Sequence, residues 1–503
     1  MSASSRTYRS LRPTRSTALS VLYTVGSLLA LTAVLLSPSV PTVVLCAAAM
    51  VTAFALVCGR SPLAAGVTWL VLSPVLYPLA RYPRSGSLVT FDRVLLAALV
   101  LALLIGRGSR RPSAPSVRAF AIAAVVFAAL FLARAVTTHP HAVGALETFV
   151  DAVLLPCAAF CVCRRTADSP RRVSLWASGL VVCGTVVALL GITEHLFGYE
   201  LASLSGGAVR ADTESGGVIR VSGPYPVPEV YALTLALTLA ATMFWWMDGR
   251  MHGAHRRAFR SVLGPVLAVV QVVGMALSLF RVAWACALVI LVIGLGLRAG
   301  RRLRLAAVGS AVALAALVAF VPLQDNAVFR TRIGNTDNVA GRLATYQVGA
   351  EIWRSAPLTG VGINRFVDAQ SRIHVREVWG VRSVQSPHSS FVGALAEQGA
   401  FGFTALIALC VFCARMLRGL GRLATGDPTR QVLRAAVIAG ALSYLAFSME
   451  LTMLPLGPSN VALAVLLGLA AASIENAGPQ GAERHAHTTA GPAVTTPLVN
   501  AVS

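Results

Sequence analysis

Residues 262–298 read VLGPVLAVVQVVGMALSLFRVAWACALVILVIGLGLR, and Arg281 is the one charged residue between the two ends of this stretch. Roughly twenty apolar residues are enough for an α-helix to cross the hydrocarbon core of a membrane. The stretch is too long for one such helix, so the chain is predicted to turn near residues 278–281. The turn would place Arg281 at a membrane boundary, between two consecutive spans.

The composition of the whole chain indicates a membrane protein. Of its 503 residues, 56% are hydrophobic and only 12% are charged, whereas soluble domains carry about 25% charged residues. A soluble protein with buried helices would need polar faces at the helical period, and these are scarce. We predict an all-α fold, a polytopic transmembrane helix bundle of about 14 spans (range about 12–14), with a large extracytoplasmic loop containing short helices. The predicted spans are 18–36, 40–59, 62–80, 88–106, 119–136, 143–163, 174–197, 229–247, 262–280, 282–298, 305–322, 389–416, 434–453 and 458–474.

The positive charge indicates a membrane orientation rather than nucleic-acid binding. The net charge is +22, and all 42 basic residues are arginines. They cluster in short stretches between apolar runs, as the positive-inside rule describes for cytoplasmic loops, so no nucleic acid is expected as a partner. We predict a multi-pass protein of the cell inner (cytoplasmic) membrane with its N-terminus inside. The inner basic stretches are 106–118, 164–172, 248–260, 298–304 and 415–422.

The nine cysteines all lie in or at the ends of apolar runs. Cys161 and Cys163, and likewise Cys410 and Cys413, are spaced like metal-ligand pairs, but their neighbours are apolar. We interpret these cysteines as small apolar helix residues. No metal site and no cofactor are predicted.

The longest polar segment, residues 323–388, lies between two spans on the predicted outer side. It holds eight arginines and five acidic residues, a balance that runs against the positive-inside rule. Because the arginine fork donates two parallel hydrogen bonds to phosphate, an anionic ligand would explain the excess; a solvated loop with internal ion pairs is the alternative. Residues 342–354 predict a short helix, followed by a turn through Gly360 and Gly362 that permits close backbone approach.

Four further residues lie at or near the predicted outer boundary. An arginine at the depth of Arg281 suggests a functional site, with snorkelling to the interface as the alternative. Arg220 precedes a proline-rich turn into span 229–247. It is a second candidate for a functional arginine, and an ordinary loop arginine is the alternative. His388 begins the span after the large loop, where its near-neutral pKa suits proton transfer beside bound anions; helix-end hydrogen bonding is the alternative. Glu397 lies further into that span, either functional or paired within the bundle.

Taken in order, these stretches resemble the O-antigen ligase and polysaccharide polymerase family. The shared features are an arginine at a turn between spans, an outer loop that opens on Gly-Arg, a Pro-x-x-Gly-x-Gly segment, and a closing histidine followed by Glu-x-Gly. They are carried by Ser278, Arg281, Gly341, Arg342, Trp353, Pro357, Gly360, Gly362, Phe366, His388, Glu397 and Gly399. The resemblance covers about residues 200–410 and includes RVSGPYPVPEVYA at 220–232. The family usually shows Ser-Arg and His-Asn side by side, but here Leu279 and Phe280 intervene and Ser389 follows the histidine.

The resemblance implies a metal-independent glycosyltransferase of the membrane C-type class, acting on the outer face. Its donor would be an undecaprenyl-diphosphate-linked glycan and its acceptor a glycan, lipid or cell-wall hydroxyl; membrane lipids surround it, and a polysaccharide assembly complex is a candidate partner. Arg281 and Arg342 would hold the diphosphate, and His388 would act as base on the acceptor hydroxyl or orient it. Substrate-binding roles are implied for Arg220, Arg365, Gly360, Gly362 and Glu397.

These expectations divide the chain into five parts. They are a basic cytoplasmic N-terminus (1–17), an N-terminal transmembrane bundle of about seven spans (18–197), a ligase- or polymerase-like catalytic region with the outer loop 323–388 (198–416), C-terminal spans (417–474), and a disordered cytoplasmic tail (475–503).

Two alternatives belong to other functional classes. A lipid-linked oligosaccharide flippase should carry ionisable residues along a cavity that reaches both faces. The candidates for such a pathway within the spans are few: Glu147, Asp151, Glu194, Glu397 and Glu450. A noncatalytic partner in polysaccharide export would not need Arg281, Arg342 or His388. The candidate arginines gather on one side of the membrane, which favours an outward-facing enzyme. No motif identifies the acceptor, so the sequence does not distinguish a ligase from a polymerase.

Overall fold

The computed structural model describes residues 54, 57–58, 61–80, 90–105, 113–138, 141–199, 220–249, 254–296, 337–372, 386–452 and 456–477. Helices joined by turns make up this part of the chain, and no strand occurs in it. The helices are α1 (Pro62–Ala80), α2 (Phe91–Ile105), α3 (Pro115–Val136), α4 (Ala142–Phe149), α5 (Leu155–Thr166), α6 (Pro170–Phe197), α7 (Pro228–Gly249), α8 (Ala254–Leu277), α9 (Arg281–Gly296), α10 (Asp337–Ser355), α11 (Phe366–Arg372), α12 (Ser390–Leu423), α13 (Pro428–Glu450) and α14 (Gly457–Glu475), and a π-helical turn (Val150–Leu154) joins α4 to α5.

Eight helical segments in the described part of the chain are long and apolar enough to cross a membrane. They are Pro115–Val136, Ala142–Thr166, Pro170–Phe197, Pro228–Asp248, Ala258–Leu277, Ser390–Leu423, Pro428–Glu450 and Gly457–Glu475. The shorter helices Pro62–Tyr77 and Arg281–Gly294 are also apolar. The predicted all-α transmembrane bundle is confirmed. The predicted spans 18–36 and 305–322 lie outside the described residues, as does almost all of 40–59, so the count of fourteen stays a prediction.

Helix α7 is the central helix of the bundle. It contacts α6, α8, α9, α13 and α14, and 94% of its most apolar stretch is buried inside the protein. The hydroxyls of Thr238 and Thr242 donate to backbone carbonyls one turn earlier, so these polar groups need no water in the interior. Gly184 of α6 faces Thr238 so closely that any side chain there would overlap it, which allows the two helices to pack backbone to backbone.

Two ion pairs tie the N-terminal helices together and to the C-terminal end. Arg93 of α2 binds Asp151 of the π-helical turn at 2.7 Å, and both side chains are buried. Arg164 of α5 binds Glu475 at 2.6 Å, where α14 ends. Removing one partner of a buried pair leaves the other charge buried without a partner, which is strongly destabilising. Glu475 is also the first residue of the predicted tail, and the tail after residue 477 lies outside the described residues.

The segment between α9 and α12 contains the short helices expected of the large loop. The helix predicted at 342–354 is present as α10, and α11 follows it. Helix α12 is longer than the predicted span 389–416 and contains one non-helical residue, Gly399, with a φ of 67°. The parts of the loop at 323–336 and 373–385 lie outside the described residues.

Candidate active site

The predicted turn between the two spans of the opening stretch is confirmed. Helix α8 ends at Leu277 and α9 begins at Arg281. Between them Leu279 adopts a φ of 52°, a left-handed conformation that residues other than glycine rarely take. The buried Ser278 closes the turn, since its hydroxyl donates to Met275 O and accepts from Phe280 N–H.

Arg281 is the first residue of α9, a position where the helix dipole disfavours a positive charge. Within the described residues its guanidinium forms no ion pair. Arg342 and Glu450 lie close enough to act on it electrostatically. The sequence therefore places a cation where the helix dipole opposes it, and the role of Arg281 in binding an anion stays a prediction.

Arg220 is fastened to this same turn. Its Nε donates to Ser278 O at 3.2 Å, and its guanidinium pairs with Glu229, in the first turn of α7, at 3.1 Å. The guanidinium also lies 5.9 Å from the ring centre of Phe280, whose ring packs 5.0 Å from that of Phe447. Phe280, one of the two residues that separate Ser278 from Arg281, thus anchors the turn between Arg220 and α13.

Arg342 lies near the start of α10 and is held by the last residue of α13. Its two terminal nitrogens donate to the two carboxylate oxygens of Glu450 at 3.1 and 3.3 Å, and both side chains stay partly exposed, at 37% and 28%. The hydroxyl of Tyr346, one turn later, donates to Met449 O. A bidentate pair of this kind fixes the plane of the guanidinium as well as its position.

His388 lies just before α12 and adopts a φ of 43°. Burial is the main cause that lowers the pKa of His388 from its ordinary value; the nearby charge of Arg342 lowers it further, and the Glu229 carboxylate opposes both. The imidazole makes no hydrogen bond to another described residue. It is therefore largely neutral at physiological pH, with its ring nitrogens available.

Ser389, which stands where the family usually has asparagine, is the N-cap of α12. Its buried hydroxyl accepts from Val392 N–H and donates to Ser448 O. Serine and asparagine are about equally good at this position. The departure from the family pattern thus preserves the helix start that positions His388.

Arg220, Arg281, Arg342 and His388, here called the arginine–histidine cluster, are brought together by the ends of α7, α8, α9, α10, α12 and α13. Glu229 and Glu450 accompany them. Sequence reasoning had not assigned these two acids to the cluster. Each lies at a helix end beside an apolar span, and that position was the only signal of its role.

The other predicted substrate-binding residues form a separate set. Val361 and Gly362 donate their N–H groups to Ala396 O and Glu397 O at 3.0 and 2.9 Å, so the glycine turn runs backbone to backbone along α12. A Cβ at Gly360 would overlap the main chain of Glu397. The N–H of Gly360 donates to Ala356 O. Within the described structure, then, these glycines serve close packing, and their part in substrate binding stays a prediction.

Glu397 and Arg365 also have protein partners. The Glu397 carboxylate accepts from the backbone N–H groups that begin α11, with Phe366 N at 3.2 Å, as a carboxylate at a helix N-terminus should. Arg365 pairs with Asp368 at 3.1 Å. The nine residues from His388 to Glu397 correspond to roughly 13 Å along a helix, so the structure does not bring this second set into the arginine–histidine cluster.

Sequence reasoning missed Arg134, at the end of α3. Its guanidinium donates to Gly360 O at 2.6 Å, while Thr138 accepts from Ile363 N–H and Asn364 donates to Thr148 of α4. These contacts dock the glycine turn onto the N-terminal bundle. A lone arginine within the predicted span 119–136 was the available signal.

Replacing Gly399 with alanine is expected to destabilise the protein strongly. Alanine at a φ of 67° is strained by about 1–3 kcal/mol, and its Cβ would also overlap the main chain of Leu358. The midpoint of thermal unfolding in detergent measures this. Gly144→Ala is the control, because its Cβ in α4 would meet nothing within 4 Å. Equal midpoints for the two variants would contradict the packing described here.

No characterised protein matched the chain. Residues 266–407 match the family model described as O-antigen ligase, a segment that runs from α8 into α12 and contains Arg281, Arg342 and His388. Arg134, Arg220, Glu229 and Glu450 lie outside it. The resemblance inferred from the sequence is thereby confirmed: over residues 266–407 this chain is similar to the O-antigen ligase family.

Proposed function

We propose that the protein transfers a glycan from a lipid-diphosphate donor of the undecaprenyl type to a hydroxyl acceptor on the outer face of the cytoplasmic membrane. The family match itself points to membrane glycan ligation. The observation that carries the finer proposal is the arginine–histidine cluster, in which three arginines meet a neutral histidine at helix ends. The predicted orientation places those ends on the outer side.

The arginines suit a diphosphate. Arg281 has no ion-pair partner in the described chain, whereas Arg342 and Arg220 are oriented by Glu450 and Glu229. Three arginines and two carboxylates leave the cluster with one net positive charge, before a ligand binds. Donors fixed in this way stabilise the negative charge that grows on a departing lipid diphosphate.

His388 suits the acceptor. In the proposed step the acceptor hydroxyl attacks the anomeric carbon of the donor sugar, a new C–O bond forms, and the C–O bond to the diphosphate breaks. The hydroxyl proton passes to a ring nitrogen of His388, and the lipid diphosphate leaves as an anion beside Arg281 and Arg342. The step needs no redox change, and we propose that it needs no metal.

Glycan transfer by purified protein in nanodiscs tests the proposal. A lipid-diphosphate oligosaccharide extract serves as donor, and reactions run with and without a chelator. Release of lipid diphosphate together with an elongated or transferred glycan is the expected result. Offering a second donor molecule and a lipid-core acceptor in separate reactions distinguishes polymerase from ligase. If the protein transfers no glycan but moves labelled donor across the membrane of liposomes, the protein is a transporter and the enzyme proposal is wrong.

The pH profile of transfer is expected to carry the signature of His388. Rates should fall as the pH drops through the pKa of His388, since the protonated ring cannot accept a proton, and that fall should lie below the ordinary histidine value of about 6.5 because the pKa is lowered. Glu229→Gln removes a charge that raises this pKa and should move the fall to lower pH. Glu351→Gln, an exposed acid paired with Arg354, is the control and should leave it in place.

A transporter is the second candidate, and the described contacts favour it less. Its ionisable residues should line a cavity. Asp151 is paired with Arg93, and Glu194 accepts from the N–H groups of Ser222 and Gly223. Glu397 and Glu450 are likewise bound within the protein.

A further inference from the structure

A long apolar cavity lies between α3, α5, α12, α13 and α14, and one end of it, at Ser390 and Ser448, borders the residues next to His388 and Glu450. Its volume is about 570 Å³. The lining is almost wholly aliphatic, aromatic or cysteine, and its exposed residues include Val125, Leu442 and Leu445. A cavity of this chemistry bordered by exposed apolar residues of membrane-spanning helices is accessible to hydrocarbon chains rather than to polar solutes.

The cavity follows the helices for much of the membrane thickness. Along α13 its lining runs from Arg434 to Ser448. Fourteen residues at the helical rise correspond to roughly 21 Å, which is more than half of a hydrocarbon core about 30 Å thick. A molecule that filled this cavity would be elongated and would lie parallel to the helices.

The two ends of the cavity differ in charge. Arg164, Arg418 and Arg434 line one end, here called the arginine end, and no lining residue is acidic. Arg164 is bound by Glu475, whereas the exposed Arg418 and Arg434 make no ion pair within the described residues. At the other end the hydroxyls of Tyr444 and Ser390 donate within the protein, to Asn460 Oδ1 and Leu451 O.

We propose that an anionic phospholipid of the cytoplasmic leaflet occupies this cavity, with its headgroup phosphate on Arg418 and Arg434 and one acyl chain along the apolar lining. The predicted orientation places the arginine end among the inner basic stretches. Basic pockets between transmembrane helices on that side attract anionic headgroups. A lipid-diphosphate donor, whose diphosphate would bind at the outer face, fits less well because it would leave Arg418 and Arg434 at the opposite end without an anion. The inference does not depend on glycan transfer.

Lipid retention by the full-length protein tests this inference. Wild type, the double variant Arg418→Gln/Arg434→Gln, and the control Arg422→Gln are purified in mild detergent, and bound lipids are quantified by mass spectrometry. Arg422 is exposed on the same helix but does not line the cavity. Phosphatidylglycerol or cardiolipin should co-purify with wild type and the control. The double variant should bind this lipid about 25-fold more weakly, because it lacks two arginines that attract the anionic headgroup.

Two further arms make the outcome decisive. Adding phosphatidylglycerol should raise the thermal unfolding midpoint of delipidated wild type but not that of the double variant, whereas inorganic phosphate alone should do little, because it cannot fill the apolar lining. Equal retention by all three proteins would overturn the proposal. So would a polyprenyl phosphate as the retained lipid, or full stabilisation by free phosphate.

Discussion

Replacing Arg342 with alanine is expected to lower the rate of glycan transfer by about 10²–10³-fold. Removal of one fixed donor to a developing negative charge typically has an effect of this size. Arg342 is held in a bidentate pair by Glu450 and acts on both Arg281 and His388, so it lies between the donor and acceptor sides of the proposed site. Initial rates with a defined lipid-diphosphate donor measure the effect.

Three companion variants separate this role from a structural one. Arg354→Ala removes an exposed arginine of the same helix, paired only locally with Glu351, and should leave transfer unchanged. Arg342→Lys keeps the charge but loses the planar fork, and should recover part of the activity. The double variant Arg342→Ala/Glu450→Gln removes the carboxylate that the single change leaves unpaired. If the double variant regained wild-type rates, Arg342 would matter only as a partner for Glu450.

Much of the fold could be predicted because a membrane span can be recognised from the hydrophobicity of a short stretch of sequence. A run such as 262–298 exceeds the length of one span, so the turn at Ser278–Arg281 followed from arithmetic. The helix at 342–354 could be predicted because residues in this stretch recur at helical spacing. The side of the membrane on which the arginines lie remains a prediction, since it rests on loop charges and not on a contact.

The partners of the site residues could not be predicted, because they depend on contacts distant in the sequence. Glu450 lies 108 residues after Arg342, and no local pattern links the two. Arg134 reaches Gly360 across 226 residues. The glycines show the same limit. Gly360 and Gly362 have the composition of a ligand-binding turn, but the main chain of Glu397 lies against Gly360 and the side chain of Thr138 lies against Gly362.

Backbone conformation was equally hidden. Leu279 and His388 both have a positive φ, and neither residue type signals it. Left-handed residues other than glycine tend to occur where surrounding structure imposes them for function. Leu279 lies two residues before Arg281, and His388 is itself a member of the arginine–histidine cluster. Their positions support the interpretation that this turn and this helix start are shaped for a ligand.

Replacing His388 with asparagine is expected to reduce transfer by about 10²–10⁴-fold, the usual contribution of a general base. Asparagine tolerates the left-handed conformation at this position better than most residues, so the helix start at Ser389 should survive and donor binding should stay near wild type. His141→Asn is the matched control, because His141 is exposed and paired with Asp368 near the glycine turn. Donor binding and transfer rate are measured separately. Loss of binding in step with rate would make His388 a positioning residue for the donor, whereas a lost rate with intact binding would identify it as the group that takes the acceptor's proton.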